Sequence, residues 1–428
     1  MSARAHNTVK PTLWMINQYA ITPDLPGGTR HYDFGCELVK QGWDVTIFAS
    51  DINLALRKHT KLKEHELWSE EVVDGVRFVW VKAALYQKNN WRRVWNMLSF
   101  VLNFMRVASQ IDQCPQCIIG SSPHLFTPLG AWWVAARKRA RFVLELRDLW
   151  PQALIDMTGA SESKPSIKLL RLIEKLSYRI ASKIVILAKG SEDYLTRRGV
   201  PTDRIVYIPN GVHMGNFGLG SGDSAVSRDD WRNEFGFTGF TIVYTGAHGP
   251  ANALHVILSA AEMLCEERSD VQFVLVGDGP VKADLAAEAK RKGLKNVRFM
   301  DPMPKTMIPR LLAASDAAVI TLRSVDAFAY AISPNKLFDY MAAEKPIICA
   351  VSGDMADLVS KNQAGYSVAP EDPRALADAA ARIAALPEVE LSAMGLRGRA
   401  VVERDFSRVR LASVLISAIN EDASSHLT

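Results

Sequence analysis

Leu13-Trp14-Met15-Ile16-Asn17, the loop Thr22–Gly28, a helical pattern from Thr29 to about Gln41, then Gly42 and Val45-Thr46-Ile47-Phe48-Ala49 together decide the fold. A short apolar run bounded by a Pro/Gly loop fits a strand buried on both faces, and the return through a helix to a second such run fits a parallel crossover. The unit repeats at Val76–Val81, Gln116–Ile119, Phe142–Leu146, Ile184–Leu187 and Ile205–Ile208, with Ser166–Ala181 the clearest helix between them. At Ile208-Pro209-Asn210-Gly211 the series stops, and Gly215–Asp230, rich in Gly, Ser and Asp, reads as linker or exposed loop. Strands then restart at Thr241–Thr245, Val271–Val276, Val297–Met300, Ala317–Thr321 and Ile347–Ala350. The expected fold class is therefore α/β, with two doubly wound Rossmann-like domains facing a cleft and a helical tail. We divide it at residues 1–212, 213–404 and 405–428, leaving open whether the last helix crosses back to the first domain. The tail from Arg374 to about Ile419 reads as almost all helical, and Glu421–Thr428 as frayed.

With 428 residues the chain is comfortable for two domains. A net charge of +5 and an isoelectric point near 8.8 suit phosphate ligands or an anionic membrane face and are too weak to argue for nucleic acid. The first residues, MSARAHNTVKP, lack the apolar core of a signal peptide, and no apolar run reaches spanning length. Five cysteines fit a reducing compartment, so the expected location is cytoplasmic. Cys114-Pro115-Gln116-Cys117 leads into a strand and has no second pair nearby, so we read its spacing as accidental.

Ligands of open parallel sheets bind beyond the carboxyl ends of the strands, and four loops there carry unusual residues. Ser333 and Pro334 read as a hydroxyl cap followed by proline at a helix start. The free amides of Asn335, Lys336 and Leu337, with the Lys336 ammonium, would form an anion site, and Asp339 one turn on could accept from a ribose diol. Alone, such a helix is more often an ordinary capped helix. Gly27-Gly28-Thr29 follows the first strand, Gly246-Ala247-His248-Gly249 the first strand of the second half, and Gly277-Asp278-Gly279 the next; each is either a tight turn or a phosphate cradle. Arg147-Asp148 ends another strand and is placed either for a ligand or to pair with a neighbouring loop.

With these segments laid out, the chain resembles glycosyltransferase family four, of the GT-B fold. The likeness is greatest to enzymes that add amino-deoxy sugars such as N-acetylfucosamine to bacterial surface polysaccharides. It rests on Gly27–Tyr32, Glu145–Pro151, Ile208–Val212, Val276–Pro280 and Ser333–Pro346, the last being the most specific. The resemblance implies a retaining, metal-independent transferase. It would take a sugar from a UDP-sugar donor, with no cofactor, to a lipid-linked or saccharide acceptor in O-antigen or capsule synthesis. Lys336, Arg147 and Asp148 would be catalytic. Gly27, Gly28, Thr29, Gly246, His248, Gly277, Gly279, Ser333, Pro334, Asn335, Leu337 and Asp339 would bind the donor. No metal ligands are implied. The family's paired glutamates, seven residues apart, fall here on Ala331 and Asp339, so one carboxylate near the sugar is missing. Its loop Arg and Lys read Ala247 and Asn252, which leaves Lys336, His248 and helix amides to hold the diphosphate. With Ala331 there, backbone groups around Ala331–Ser333 and the rings of Phe328 or Tyr330 are expected to meet an N-acetylated or 6-deoxy sugar. Nucleotide-sugar 2-epimerases share the architecture, and a non-catalytic assembly partner is the other alternative.

Trp91–Arg106 is apolar over most of its circumference, with Trp and Arg at one end. It reads either as a helix packed on the sheet or as one docked on anionic lipid at the inner face of the cytoplasmic membrane. Arg137-Lys138-Arg139-Ala140-Arg141 adds base in the same half.

Overall fold

The computed structural model describes residues 10–25, 27–53, 58–86, 91–217, 227–325 and 333–421. In chain order the first half supplies β1 (Thr12–Ile16), β2 (Asp44–Ser50), β3 (Ile52–Asn53), β4 (Lys58–His59), β5 (Trp68–Val73), β6 (Val76–Val81), β7 (Cys117–Ser121), β8 (Arg141–Leu146), β9 (Lys183–Ile186) and β10 (Ile205–Tyr207). Eight of them form a sheet in the order β10-β9-β8-β7-β1-β2-β6-β5, while β3 and β4 pair separately. Every pairing in the large sheet is parallel except β5 with β6. The second half supplies β11 (Phe240–Thr245), β12 (Val271–Val276), β13 (Val297–Met300), β14 (Ala317–Thr321), β15 (Ile347–Ala350) and β16 (Gly365–Ser367), all parallel, in the order β13-β12-β11-β14-β15-β16. The chain reverses direction across each sheet between β1 and β7 and between β11 and β14. These are the two points where helices on opposite faces part and leave a crevice.

Apolar side chains fill both faces of each sheet. Trp14, Phe48, Phe100 and Phe104 lie on one side of the first sheet, and Leu13, Ile47 and Phe78 on the other. The helix Arg408–Asn420 lays Leu411, Ala412, Leu415 and Ile419 into that second face, so the tail of the chain packs on the first sheet. Its Arg408 donates to Asp33 at 3.2 Å, and Val212 bridges Ser407.

The short strands Ile52–Asn53, Lys58–His59 and Gly365–Ser367 were not expected from the sequence, and two longer segments also differ from that reading. The expected loop Gly215–Asp230 is overlapped at its start by a short 3-10 turn, Met214–Phe217, and at its end by a helix, Arg228–Phe235, which Ser227 caps in a reciprocal pair with Asp230; residues 218–226 lie outside the described set. Trp68–Val73 is a strand that carries Glu70 and Glu71, and its antiparallel edge position lets one face stay wet.

Candidate active site

The helix at the second switch point is Asn335–Ala342, and its start differs from the expected cap. Pro334 occupies the cap position, and no side chain caps the turn. The Ser333 hydroxyl instead accepts from the Asn210 amide at 3.0 Å, and the Asn210 side chain donates to the Ser333 carbonyl. The helix start is thereby tied to the Pro-Asn-Gly segment that ends the first half. The Leu337 amide already donates to the Pro334 carbonyl at 3.2 Å, so of the expected three only the Asn335 and Lys336 amides have no partner among the described residues. Further along, the Tyr340 hydroxyl accepts from the Thr245 amide at 2.8 Å and locks the helix to the end of β11.

Lys336 reaches back over β11. Its ammonium donates to the Tyr244 hydroxyl at 2.7 Å and to Asn252 Oδ1 at 3.3 Å, and lies 3.9 Å from the Tyr244 ring centroid. These partners are neutral, and burial pushes its pKa down to about 7. A cation in this state gains from an arriving anion. Gly246 makes room for it: a Cβ there would stand 3.0 Å from Lys336 Nζ, at a φ of +143°. Gly277 lets the next loop close on this one, since its Cβ would meet the Gly246 carbonyl at 1.9 Å. Asn252, where relatives are expected to carry Lys, holds Lys336 rather than a phosphate directly.

His248 does not act as a further cation. It is fully buried between the loops, its amide donating to the Asp278 carbonyl at 2.8 Å. Burial, with Lys282 nearby, lowers its pKa to about 4, so it is neutral at pH 7. Gly279 packs against its backbone. Asp339 is 5% exposed and pairs with Lys305, a residue the sequence reading did not single out. Lys305 arrives on the turn Lys305–Met307, in the connection that follows β13, and nothing local in the sequence marks its link to Asp339.

From the first half, the Gly27-Gly28-Thr29 loop meets this helix directly: a Cβ on Gly28 would lie 3.1 Å from Asn335 Nδ2. Thr29 donates to Asp33 at 3.1 Å instead of capping the helix Arg30–Lys40. Behind it sits an ion cluster that the sequence reading named only as part of a motif. Arg30, 2% exposed, donates to Glu145 at 2.9 Å and to the carbonyls of Ile208 and Pro209. His31 Nε2 lies 3.0 Å from Glu145 and 2.9 Å from Ser121. Burial alone would raise the Glu145 carboxyl, but Arg30 and then His31 hold it well below the usual range. A glutamate inside the apolar run FVLEL was the available signal. Arg147 is half-buried and Asp148 exposed; both amides donate to the Ser122 hydroxyl, at 2.7 and 3.3 Å. No hydrogen bond or ion pair joins either to the Lys336 helix among the described residues. Ala331, Phe328 and Tyr330, on which the sugar expectation rests, lie outside the described residues.

The family model for glycosyl transferases group 1 matches residues 239–385, and the model for the glycosyl transferase 4-like domain matches residues 27–211. WcaI of Escherichia coli K12, a glycosyl transferase named for colanic acid biosynthesis, is 25% identical over 288 residues, spanning 65% of this chain and 69% of that protein. WbjE of Pseudomonas aeruginosa, named as a glycosyltransferase, is 24% identical over 297 residues, or 68% and 69%. Among solved structures, sucrose-phosphate synthase from Thermosynechococcus elongatus superposes with a TM-score of 0.75 at 17% identity, covering 97% of this chain and all of the other. Anabaena HepE in complex with UDP and glucose gives 0.68 at 16%, covering 95% and 99%. The chain belongs to the family-four type of group 1 glycosyltransferases and is a sugar-transferring enzyme of GT-B architecture.

Proposed function

We propose that this enzyme moves a sugar from a UDP-sugar, with retention of anomeric configuration, to a lipid-linked or saccharide acceptor in surface-polysaccharide synthesis. The observation that carries the reading is Lys336: a half-buried cation with neutral partners, beside two helix amides at a switch point. A diphosphate held there would gain negative charge as the sugar leaves, and donors aimed at developing charge are the largest electrostatic lever on such a step. HepE is a relative in fold crystallised with UDP and glucose, and WcaI, named for colanic acid biosynthesis, supports the polysaccharide setting. Incubation with a panel of UDP-sugars and measurement of UDP release tests the reading; silence across the panel would remove it. The sugar we favour is an N-acetylamino or 6-deoxy-amino hexose, read from Ala331. A kcat/KM ratio favouring plain UDP-glucose would sink that choice.

Contact with an anionic membrane belongs to the same proposal. No helix among the described residues is long and apolar enough to cross a membrane. The helix Trp91–Gln110 buries Phe100, Phe104 and Val107 against the sheet and leaves Trp91 70% and Trp95 51% exposed, with Arg92 beside Trp91. Leu169, Leu172 and Leu176 make a second exposed stripe on Pro165–Ile180, bordered by Lys168 and Lys175. Replacing Trp91 and Trp95 with serine should release the protein from anionic vesicles; unchanged sedimentation would return both rings to ordinary surface.

A further inference from the structure

The first switch point carries a polar cluster that the donor site does not use. Tyr19 follows the end of β1, His124 follows the end of β7, and these strands are neighbours across the reversal. The first turn of Trp91–Gln110 closes the cluster. Helical periodicity splits its arginine pair: Arg92 stays outside on Trp91, while Arg93 turns inward, three residues before the buried Asn96, and lies beside Tyr19 and His124. Arg93 therefore leaves the set of headgroup residues that the sequence suggested.

A chain of hydrogen bonds fixes the state of His124. The Ala84 carbonyl can only accept, so the Asn96 amide nitrogen faces it at 2.7 Å. Asn96 Oδ1 must then accept from Gln18 Nε2 at 2.6 Å, which turns Gln18 Oε1 toward His124 Nε2, also at 2.6 Å. That nitrogen must carry the proton. Burial, with Arg93 nearby, lowers the His124 pKa to about 3, so at neutral pH the ring holds one proton only. Nδ1 is consequently a lone pair, and among the described residues it has no partner, in a side chain 4% exposed. Such an atom calls for a donor. A phosphate brings none; a sugar hydroxyl does, and it can also accept from Arg93 and from Tyr19, which burial keeps protonated.

We propose that His124 Nδ1 accepts a hydroxyl of the acceptor saccharide, in a subsite lined by Tyr19 and Arg93. This rests on the glycosyltransfer reading above and adds to it where the acceptor sugar is gripped. The loop that carries Tyr19 continues to Gly28, which lies against Asn335 of the donor helix, so one loop links the subsite to the donor site.

His124→Gln separates the two sides of the ring. Its amide nitrogen replaces Nε2 as donor to Gln18, while the lone pair at Nδ1 is lost. With a UDP-sugar donor and a panel of octyl glycosides, the variant should raise the KM of the best wild-type acceptor by about tenfold or more. Donor KM and acceptor-free donor hydrolysis should stay within about twofold of wild type, and His124→Asn, which keeps an acceptor near Nδ1, should recover part of the loss. An acceptor KM that does not move, or a donor KM that rises in step, would overturn the proposal. Titrating the full chain, with 15N-labelled histidine and UDP present, against the same glycosides decides independently. The His124 Nδ1 signal should shift, and a signal that no glycoside moves would assign the site to a trapped water. Absence of UDP release from every donor would instead count against the UDP-sugar reading, and the nitrogen titration would still judge His124.

Discussion

Replacing Lys336 with methionine keeps the length and removes the charge. In the free enzyme the ammonium's hydrogen-bond partners among the described residues are the Tyr244 hydroxyl and Asn252 Oδ1, so its loss strands no carboxylate there and the fold should survive. Opposite unit charges about 4 Å apart attract by about 4 kcal/mol near a protein surface, and part of that is offset by desolvation. A net contribution of about 1.5–3 kcal/mol for a charge-assisted phosphate contact corresponds to a loss of about 10- to 150-fold in UDP affinity. The pKa of about 7 adds a second signature. A bound diphosphate favours the charged form and raises this pKa, so the sign is set. Below pH 7 the lysine is already protonated and binding takes up little; above it, binding must take up a proton, and affinity falls with rising pH, by up to about tenfold per unit. The last phosphate proton of UDP leaves near pH 6, below that window, taking the ordinary phosphate-ester value of about 6. Titration calorimetry of UDP at about pH 6.5 and 8.5, in buffers of different ionisation enthalpy, counts the protons. Wild-type affinity that is flat across this range, together with a methionine variant that binds UDP like wild type, would refute the assignment of Lys336 to the diphosphate.

Three further outcomes are expected. Gly246→Ala, with its Cβ against Lys336 at a φ of +143°, should lose turnover through a displaced ammonium and lower stability by about 1–3 kcal/mol, read by kcat and thermal melting. Asp339→Asn should erase a wild-type preference for UDP over 2′-deoxy-UDP; equal wild-type affinity for both nucleotides would separate Asp339 from the ribose and leave it as the partner of Lys305. Glu145→Gln leaves Arg30 buried without its counter-charge, and denaturant melts should show about 3–5 kcal/mol lost. Because the Glu145 carboxyl is depressed in the fold, its stabilisation is fully present above the ordinary carboxylate range and fades as pH falls below it, so the variant's deficit should shrink in acid.

Much of the fold was legible because parallel strands buried on both faces must be apolar throughout. Ala317–Thr321 and Ile347–Ala350 were bounded correctly from that rule. It failed at Trp68–Val73, where an antiparallel edge tolerates Glu70 and Glu71, and at the three-residue strand Gly365–Ser367, too short to show a pattern. Of the site, the glycine loops and the Lys336 helix start were visible as local chemistry at strand ends. Their partners were not. Ser333 abandons its cap for Asn210, 123 residues away; Asp339 is met by Lys305, 34 residues away; Arg30 finds Glu145 across 115. Sequence by itself determined which residue types stand at the carboxyl ends of the strands, because strand and helix periods are local properties of the chain. Tertiary structure alone decided which of those groups are charged, buried or paired, because hydrogen bonds and desolvation depend on neighbours brought together only when both sheets are assembled.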